Sequence, residues 1–361
     1  MKLLYITNAI NGSGGLERVL AVKASYFADT LGYEVTIAVL NDQHLRPFYT
    51  FSDKITFISA NVGGGALSYI RQYRQAVRSF VSQADPDIVL VCDDGLKAFF
   101  IPAILKTRIP VIYERHVSKL IELPPRAGWK QKTVTRLKWS LMNRLAPKFD
   151  AFVVLTQGNV NEWRHLENIR VIANPVPFEP DISADLSRKR VICVGKVSYQ
   201  KGQDILARVW AKITDRFPEW ELHNFGKEDE QVLTRQQLPR NMFLHPPDRH
   251  IQQQYPDVSI YVMPSRYEGF GMVLIEAMAF GLPCVAFDCN YGPSDIIDHE
   301  KNGLLVPQLD EEAMARSLTR LMEDEDLRHS LSARALEDVK RYRMESVGLL
   351  WQGLFEALHR K

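Results

Sequence analysis

The sequence predicts an α/β protein built from two doubly wound parallel sheets, and three observations carry that prediction. Apolar runs of four to seven residues alternate with amphipathic stretches of ten or more, the rhythm of successive βα units. At 361 residues the chain exceeds what one such core usually sustains, which favours two domains. Between the two series of units, Asn174-Pro175-Val176-Pro177 and the polar residues 179–189 interrupt the periodicity. Hydrophobic content of 46% and charged content of 24% are ordinary for globular proteins and exclude a disordered chain.

In chain order, the first series places strands at 3–7, 35–40, 55–58, 88–92, 111–113 and 152–155. The second places them at 191–195, 221–225, 260–263, 283–287 and 304–306. Ligands of open α/β sheets bind beyond the strand C-termini, so two such domains facing each other would make an interdomain cleft. The apolar start breaks at Thr7-Asn8 with no small-residue cleavage site after it, and reads as a buried strand rather than a leader. No stretch reaches the roughly 20 apolar residues of a spanning helix. Cys92, Cys193, Cys284 and Cys289 lack paired spacing and are expected as buried core thiols, which points to a reducing, cytosolic compartment. The net charge of +2 divides unevenly, with +8 up to Pro175 and −6 beyond it.

The most informative segment is Pro264-Ser-Arg-Tyr-Glu-Gly-Phe-Gly-Met-Val-Leu-Ile-Glu-Ala-Met-Ala-Phe-Gly-Leu-Pro283. A strand enters a loop, Gly269-Phe270-Gly271 opens an apolar helix starting near Gly269, and Gly281-Leu-Pro closes it. Free amides at Phe270, Gly271 and Met272, with the helix dipole, would hold a diphosphate. Glu268 in the loop would accept hydrogen bonds from sugar hydroxyls. Glu276, about two turns along, would chelate a ribose diol, since an unpaired charge in so apolar a stretch would be costly.

Glu268 and Glu276, with Pro-Ser-x-x-Glu-Gly-Phe-Gly before and Gly-Leu-Pro-Cys-Val-Ala after, resemble the hallmark of the family 4 retaining glycosyltransferases, which have the GT-B fold. The resemblance extends over most of the chain. Gly14-Gly15-Leu-Glu-Arg-Val19 resembles the family's glycine-rich loop beside the donor. Val194-Gly-Lys196-Val-Ser-Tyr-Gln-Lys201-Gly202 is similar to its Gly-Arg-Leu, then Lys-Gly, signature, with Lys196 where arginine is usual. Two cations there suit a departing β-phosphate, although a lysine lacks the arginine fork. His116, in Tyr113-Glu-Arg-His116, stands where the family often places a histidine near the donor sugar. Arg170-Val-Ile-Ala-Asn-Pro-Val176 and Asn224-Phe-Gly226 resemble the linker entry and a donor-domain turn, Asn224 replacing a more typical aliphatic residue.

The resemblance implies an acceptor domain over 1–175, a nucleotide-sugar donor domain over 176–340, and a C-terminal stretch over 341–361 packing back on the first domain. His116, Glu268 and Lys201 are the expected catalytic residues. Gly14, Gly15, Lys196, Lys201, Glu268, Gly269, Phe270, Gly271, Met272 and Glu276 are expected to bind the donor. No cofactor and no metal are expected: Asp93-Asp94 matches an Asp-x-Asp metal motif only superficially, and cations with helix amides can replace a divalent ion.

Between Arg126 and Lys148 lie Arg126, Lys130, Lys132, Arg136, Lys138, Arg144 and Lys148 with no acid, among Trp129, Leu137, Trp139, Leu141 and Leu145. This basic amphipathic stretch, above all Trp129, Lys130, Lys132, Arg136, Lys138 and Trp139, is expected to face an anionic bilayer; a solvated helix covering the sheet is the plainer alternative. Nucleic acid is excluded by the acidic second half and the lack of a recognition motif. The expected activity is retaining transfer of a hexose or N-acetylhexosamine from a nucleotide diphosphate sugar, UDP preferred, to a glycan or polyprenyl-diphosphate-linked saccharide. The setting would be bacterial capsule, O-antigen or related surface polysaccharide synthesis at the inner face of the plasma membrane. A nucleotide-sugar epimerase and a silent scaffold of a glycan-assembly complex are the alternatives.

Overall fold

A computed structural model describes residues 1–12, 14–41, 46–123 and 127–360. Arg126, the first cation of the basic stretch, lies outside the described residues. The chain forms two units, Met1–Pro177 with Met344–Lys361, and Phe178–Arg343.

The first unit opens with β1 (Lys2–Thr7), α1 (Gly15–Asp29), β2 (Glu34–Leu40), β3 (Thr56–Ala60), α2 (Ala66–Ala84) and β4 (Ile88–Cys92). After a 3-10 turn (Leu96–Phe100) come α3 (Ile101–Leu105), β5 (Val111–Glu114), α4 (Trp129–Leu145), β6 (Ala151–Val154), α5 (Gln157–Val160) and β7 (Ile169–Val171). All seven strands are parallel in the order β3-β2-β1-β4-β5-β6-β7. Strand side chains alternate between faces. Leu4 and Ile6 of β1 therefore join a core with Val77, Phe80, Ile101 and Met142 of the layer formed by α2, α3 and α4. Leu3 and Tyr5 join the opposite core with Leu20 and Phe27 of α1.

The second unit contains β8 (Arg190–Val194), α6 (Gln203–Ala211), β9 (Glu221–Phe225), β10 (Met242–His245), β11 (Ile260–Met263) and α7 (Met272–Ala279). It continues with β12 (Cys284–Phe287), α8 (Pro293–Ile296), β13 (Gly303–Val306), α9 (Glu311–Glu323) and α10 (Glu325–Asp338). Its six parallel strands run β10-β9-β8-β11-β12-β13. The last helix, α11 (Met344–His359), belongs to the first unit: Val347, Trp351, Phe355 and Leu358 recur at helical spacing and fill the α1 core.

The strands read from the sequence stand within one or two residues of the observed bounds, and β7 and β10 are additional. Both are short edge strands, of three and four residues, with too few buried apolar side chains to read as period two. All four cysteines are buried and free. Among the described residues no helix is long and apolar enough to cross a membrane.

Candidate functional site

In each sheet the strand order reverses once, between β1 and β4 and between β8 and β11. Doubly wound sheets bind ligands at that switch, beyond the strand C-termini. In the second unit the loops leaving it are 195–201, after β8, and 264–271, after β11. Hydrogen bonds lock the two together. The Arg266 amide donates to the Gln200 carbonyl at 2.8 Å. Its guanidinium donates to the Tyr199 carbonyl at 2.7 Å and grips both carboxylate oxygens of Asp204 at 2.8 and 2.6 Å. Gln203, fully buried at the start of α6, donates to the carbonyls of Gly195 (3.2 Å) and Lys196 (3.1 Å) and accepts from the Ser198 amide. A satisfied buried network of this kind holds its loop in one conformation.

Glu268 is buried at the junction of these loops. Lys201 Nζ donates to its two carboxylate oxygens at 2.8 and 3.0 Å, and Ser265 Oγ donates to Oε1 at 2.5 Å. Its main chain is held as well: the Glu268 amide donates to the Asn290 carbonyl at 2.9 Å, and the Tyr291 amide to the Glu268 carbonyl at 3.0 Å. Burial by itself would lower the Lys201 pKa, but the charge and hydrogen bonds of Glu268 outweigh it and the value rises. The ammonium therefore stays charged and aims the carboxylate. The predicted pair of cations is unequal: Lys196 is exposed and, among the described residues, its side chain has no partner.

Helix α7 starts at Met272 rather than near Gly269. The cause is Gly271, whose φ of +97° is a left-handed conformation that interrupts the helical path just before Met272. Gly269, Phe270 and Gly271 therefore belong to the loop, and Glu276 is the fifth helical residue, little more than one turn along instead of two. Among the described residues no acceptor meets the amides of Phe270, Gly271 or Met272. They remain available at the positive end of the helix dipole. The Phe270 ring is buried against Tyr342, so this residue offers its amide and not its face. Glu276 is buried, with the Tyr255 hydroxyl 3.4 Å from Oε2.

In the first unit the Thr7 hydroxyl bridges the switch by donating to the Cys92 carbonyl at 3.0 Å. Beyond β1 the Glu17 carboxylate folds over Gly14, where a β-carbon would stand 2.6 Å from Oε2; at Gly15 a β-carbon would meet open space. Two residues past β5, His116 has both ring nitrogens buried, and Nδ1 has no hydrogen-bond partner among the described residues. Its Nε2 lies 3.3 Å from Glu114 Oε2. Glu114 forms a fully buried ion pair with Lys23, whose ammonium stands 4.3 Å from the centre of the Trp351 ring on α11. Burial pushes the Glu114 pKa up, but Lys23 and His116 outweigh it and hold the carboxyl down at about 2.

Cys92, Glu114 and His116 bring three ligand-type atoms within 4.8 Å of one another, and Lys23 on the same carboxylate supplies the positive charge that an ion would bring. Asp93 and Asp94 face Lys97 and Arg115, each at 3.5 Å. On α4, Trp129, Lys130, Lys132 and Arg136 are exposed. The other two membrane-facing candidates are turned inward: Lys138 is paired with Glu122 at 2.9 Å and the Trp139 ring packs on the core. Sequence reasoning missed Ser265, Gln203, the Arg266–Asp204 clamp and the Lys23–Glu114 pair. The Arg266–Asp204 and Lys23–Glu114 partners are 62 and 91 residues apart, and the local contacts of Ser265 and Gln203 depend on loop conformation; only a polar residue inside an apolar stretch, such as Lys23 in α1, gives a signal.

A doubly wound parallel sheet repeated in two units, with free amides at the head of α7 and a clamped Glu268 in the second, is the arrangement of a glycosyltransferase of the GT-B type. The family profiles agree. Glycosyltransferase Family 4 matches residues 13–179 and Glycosyl transferases group 1 matches residues 178–338, and the chain belongs to this family. It is 28% identical to the amylovoran biosynthesis glycosyltransferase AmsD of Erwinia amylovora, over 98% of this chain and 99% of that one. It is 24% identical to the lipopolysaccharide 1,6-galactosyltransferase of Escherichia coli K12, over 84% of each. The Anabaena HepE crystal structure in complex with UDP superposes with a TM-score of 0.77 at 18% identity, covering 99% of this chain and 100% of that one.

Proposed function

We propose that the protein transfers a hexose or N-acetylhexosamine, with retention, from a UDP-sugar to a polyprenyl-diphosphate-linked saccharide or related glycan during bacterial surface polysaccharide assembly. The observation that carries the proposal is Glu268, fixed by Lys201 and Ser265 immediately ahead of the free amides of 270–272. Similarity to AmsD and to a lipopolysaccharide galactosyltransferase supports the polysaccharide setting, and the HepE complex with UDP supports the choice of base.

In this reading the diphosphate rests on the amides of Phe270, Gly271 and Met272, with the unpartnered Lys196 and the Lys201 ammonium beside it. Gly14 and Gly15, at the start of α1, are the first unit's candidates beside the donor. Glu268 accepts from sugar hydroxyls and Glu276 from the ribose. The bond from the anomeric carbon to the β-phosphate oxygen breaks while the acceptor oxygen bonds to the same face, and the acceptor proton passes to the departing diphosphate. His116, held by Glu114, is the first unit's candidate at the transferring centre. No metal is required.

The test is UDP release and anomeric NMR of the product with UDP-glucose, UDP-galactose and UDP-N-acetylglucosamine, in the presence of EDTA. An α-linked product whose formation collapses in Glu268→Gln supports the reading. A β-linked product, an altered sugar nucleotide formed without acceptor, or no turnover of any donor overturns it.

A further inference from the structure

Lys23 in α1 and Glu114 at the end of β5 are each 2% exposed, and Lys23 Nζ donates to Glu114 Oε2. The Trp351 ring on α11 stands with its centre 4.3 Å from that ammonium, so the pair is enclosed between the sheet and the outer helices. Taking two charges this far from water is costly, and apolar residues of the same volume would hold α1 to the sheet at least as well. A structural role alone therefore does not account for the pair. Its surroundings supply another: His116 Nε2 lies 3.3 Å from the same carboxylate oxygen, Glu114 Oε2. His116 follows the C-terminal end of β5, the end at which doubly wound sheets take their ligands.

The place of the ring proton follows from these partners. Glu114 is held ionised, and an ionised carboxylate only accepts hydrogen bonds. The imidazole nitrogen that faces it must therefore carry the proton, and that nitrogen is Nε2. Nδ1 is then a bare acceptor, buried and without a hydrogen-bond partner among the described residues. The main chain is fixed separately, the His116 amide donating to Asp94 Oδ1 at 3.2 Å. An enclosed acceptor left without a donor costs about 1–3 kcal/mol, which a ligand that brings a donor removes. A bare nitrogen can accept from a hydroxyl and has nothing to offer a phosphate oxygen.

We propose that Lys23 and Glu114 are positioning residues for the transfer: together they fix His116 in its Nε2–H tautomer and leave Nδ1 to accept from a sugar hydroxyl. Glu114 alone would not suffice, because a buried carboxylate beside an imidazole leaves two places for the shared proton, the carboxylate and the ring. With the Lys23 ammonium on Oε2 the carboxylate stays charged and one arrangement remains. The Trp351 face backs that ammonium, which gives α11, at the far end of the chain, a part in the same device. The role in transfer rests on the activity proposed above, whereas the tautomer reads out with no substrate present.

The experiment is NMR of the full chain with isotope-labelled histidine nitrogens at pH about 8, where a histidine is ordinarily uncharged, the His116 signals being assigned with His116→Gln. The wild type should show Nε2 protonated and Nδ1 bare. In Lys23→Met/Glu114→Gln the neutral amide can either accept or donate, so the two tautomers should mix while circular dichroism and melting stay near the wild type. Its kcat for transfer should fall by about a hundredfold, with the donor KM within about twofold of the wild type. A wild-type ring protonated at Nδ1, a double variant that keeps the single Nε2–H form, or mixed tautomers with unchanged kcat would each overturn the inference. A wild type that transfers no sugar, yet whose Nε2–H ring becomes mixed in the double variant, would overturn the proposed activity and uphold the pair's control of the ring.

Discussion

Lys201 Nζ lies 2.8 and 3.0 Å from the two carboxylate oxygens of Glu268, 67 residues away in the chain. Two strands that neighbour across the switch point, β8 and β11, bring them together. The pair is the hinge of the proposed donor site, because the lysine both aims the carboxylate and carries the charge that a leaving phosphate would meet. Lys201→Ala should lower kcat by about a hundred- to a thousandfold, the range for removing a donor that stabilises developing negative charge. Lys201→Arg should recover only part of it, since the bulkier guanidinium can grip Glu268 but cannot occupy the place of a compact ammonium between the two loops. Steady-state kinetics with saturating donor reads this directly.

Glu276 stands apart from that chemistry, on the first turns of α7 beside the Tyr255 hydroxyl. Glu276→Ala should raise the donor KM by about ten- to a hundredfold while kcat changes little, the pattern of binding that is uniform between ground and transition states. Initial rates over a donor series check it.

Asn224 is fully buried in β9 and, among the described residues, neither amide atom has a hydrogen-bond partner. An unsatisfied buried amide costs about 1–3 kcal/mol, so Asn224→Leu, of similar shape, should raise stability by about 1–2 kcal/mol in chemical denaturation. The departure from an aliphatic residue is legible in the sequence; its burial without partners is not.

The Lys23–Glu114 pair makes the first unit acid-sensitive. The folded carboxyl, at about 2, sits below its ordinary value of 4.5, so between those values the unfolded state binds the extra proton. The pair's contribution is complete above pH 4.5 and is lost as the pH falls toward 2. Lys23→Met should destabilise the unit at neutral pH by about 3–5 kcal/mol by leaving a buried carboxylate alone. Lys23→Met/Glu114→Gln should restore most of the loss and remove that slope. Urea unfolding from neutral pH to pH 2.5 follows both.

These cases show where sequence reasoning stops. Strands such as β4, β11 and β12 are legible because each is an apolar run closed by turn residues. The three residues of β7 carry no such period. The loop holding Glu268 is legible from its glycines, but the start of α7 depends on the left-handed backbone of Gly271, which a Gly-Phe-Gly string does not reveal. Lys138 and Trp139 read as part of a basic amphipathic surface; the structure turns one to Glu122 and the other to the core, because helix phase against the sheet decides which side is outward. Pairings across 67 or 91 residues, Lys201 with Glu268 and Lys23 with Glu114, are properties of the sheet order alone.

The central claim is that the switch point of the second unit is a metal-independent site for a nucleotide diphosphate sugar. The most direct measurement is a thermal-shift panel of UDP, GDP, ADP and their common sugars in the presence of EDTA, on the wild type and on Glu276→Ala. At a hundred times Kd a ligand adds about 2.7 kcal/mol, a shift of several degrees for a unit of this size. The account predicts such a shift for UDP and UDP-sugars with EDTA present, much reduced in Glu276→Ala. No shift with any nucleotide, or one that needs a divalent ion and survives Glu276→Ala unchanged, would contradict it.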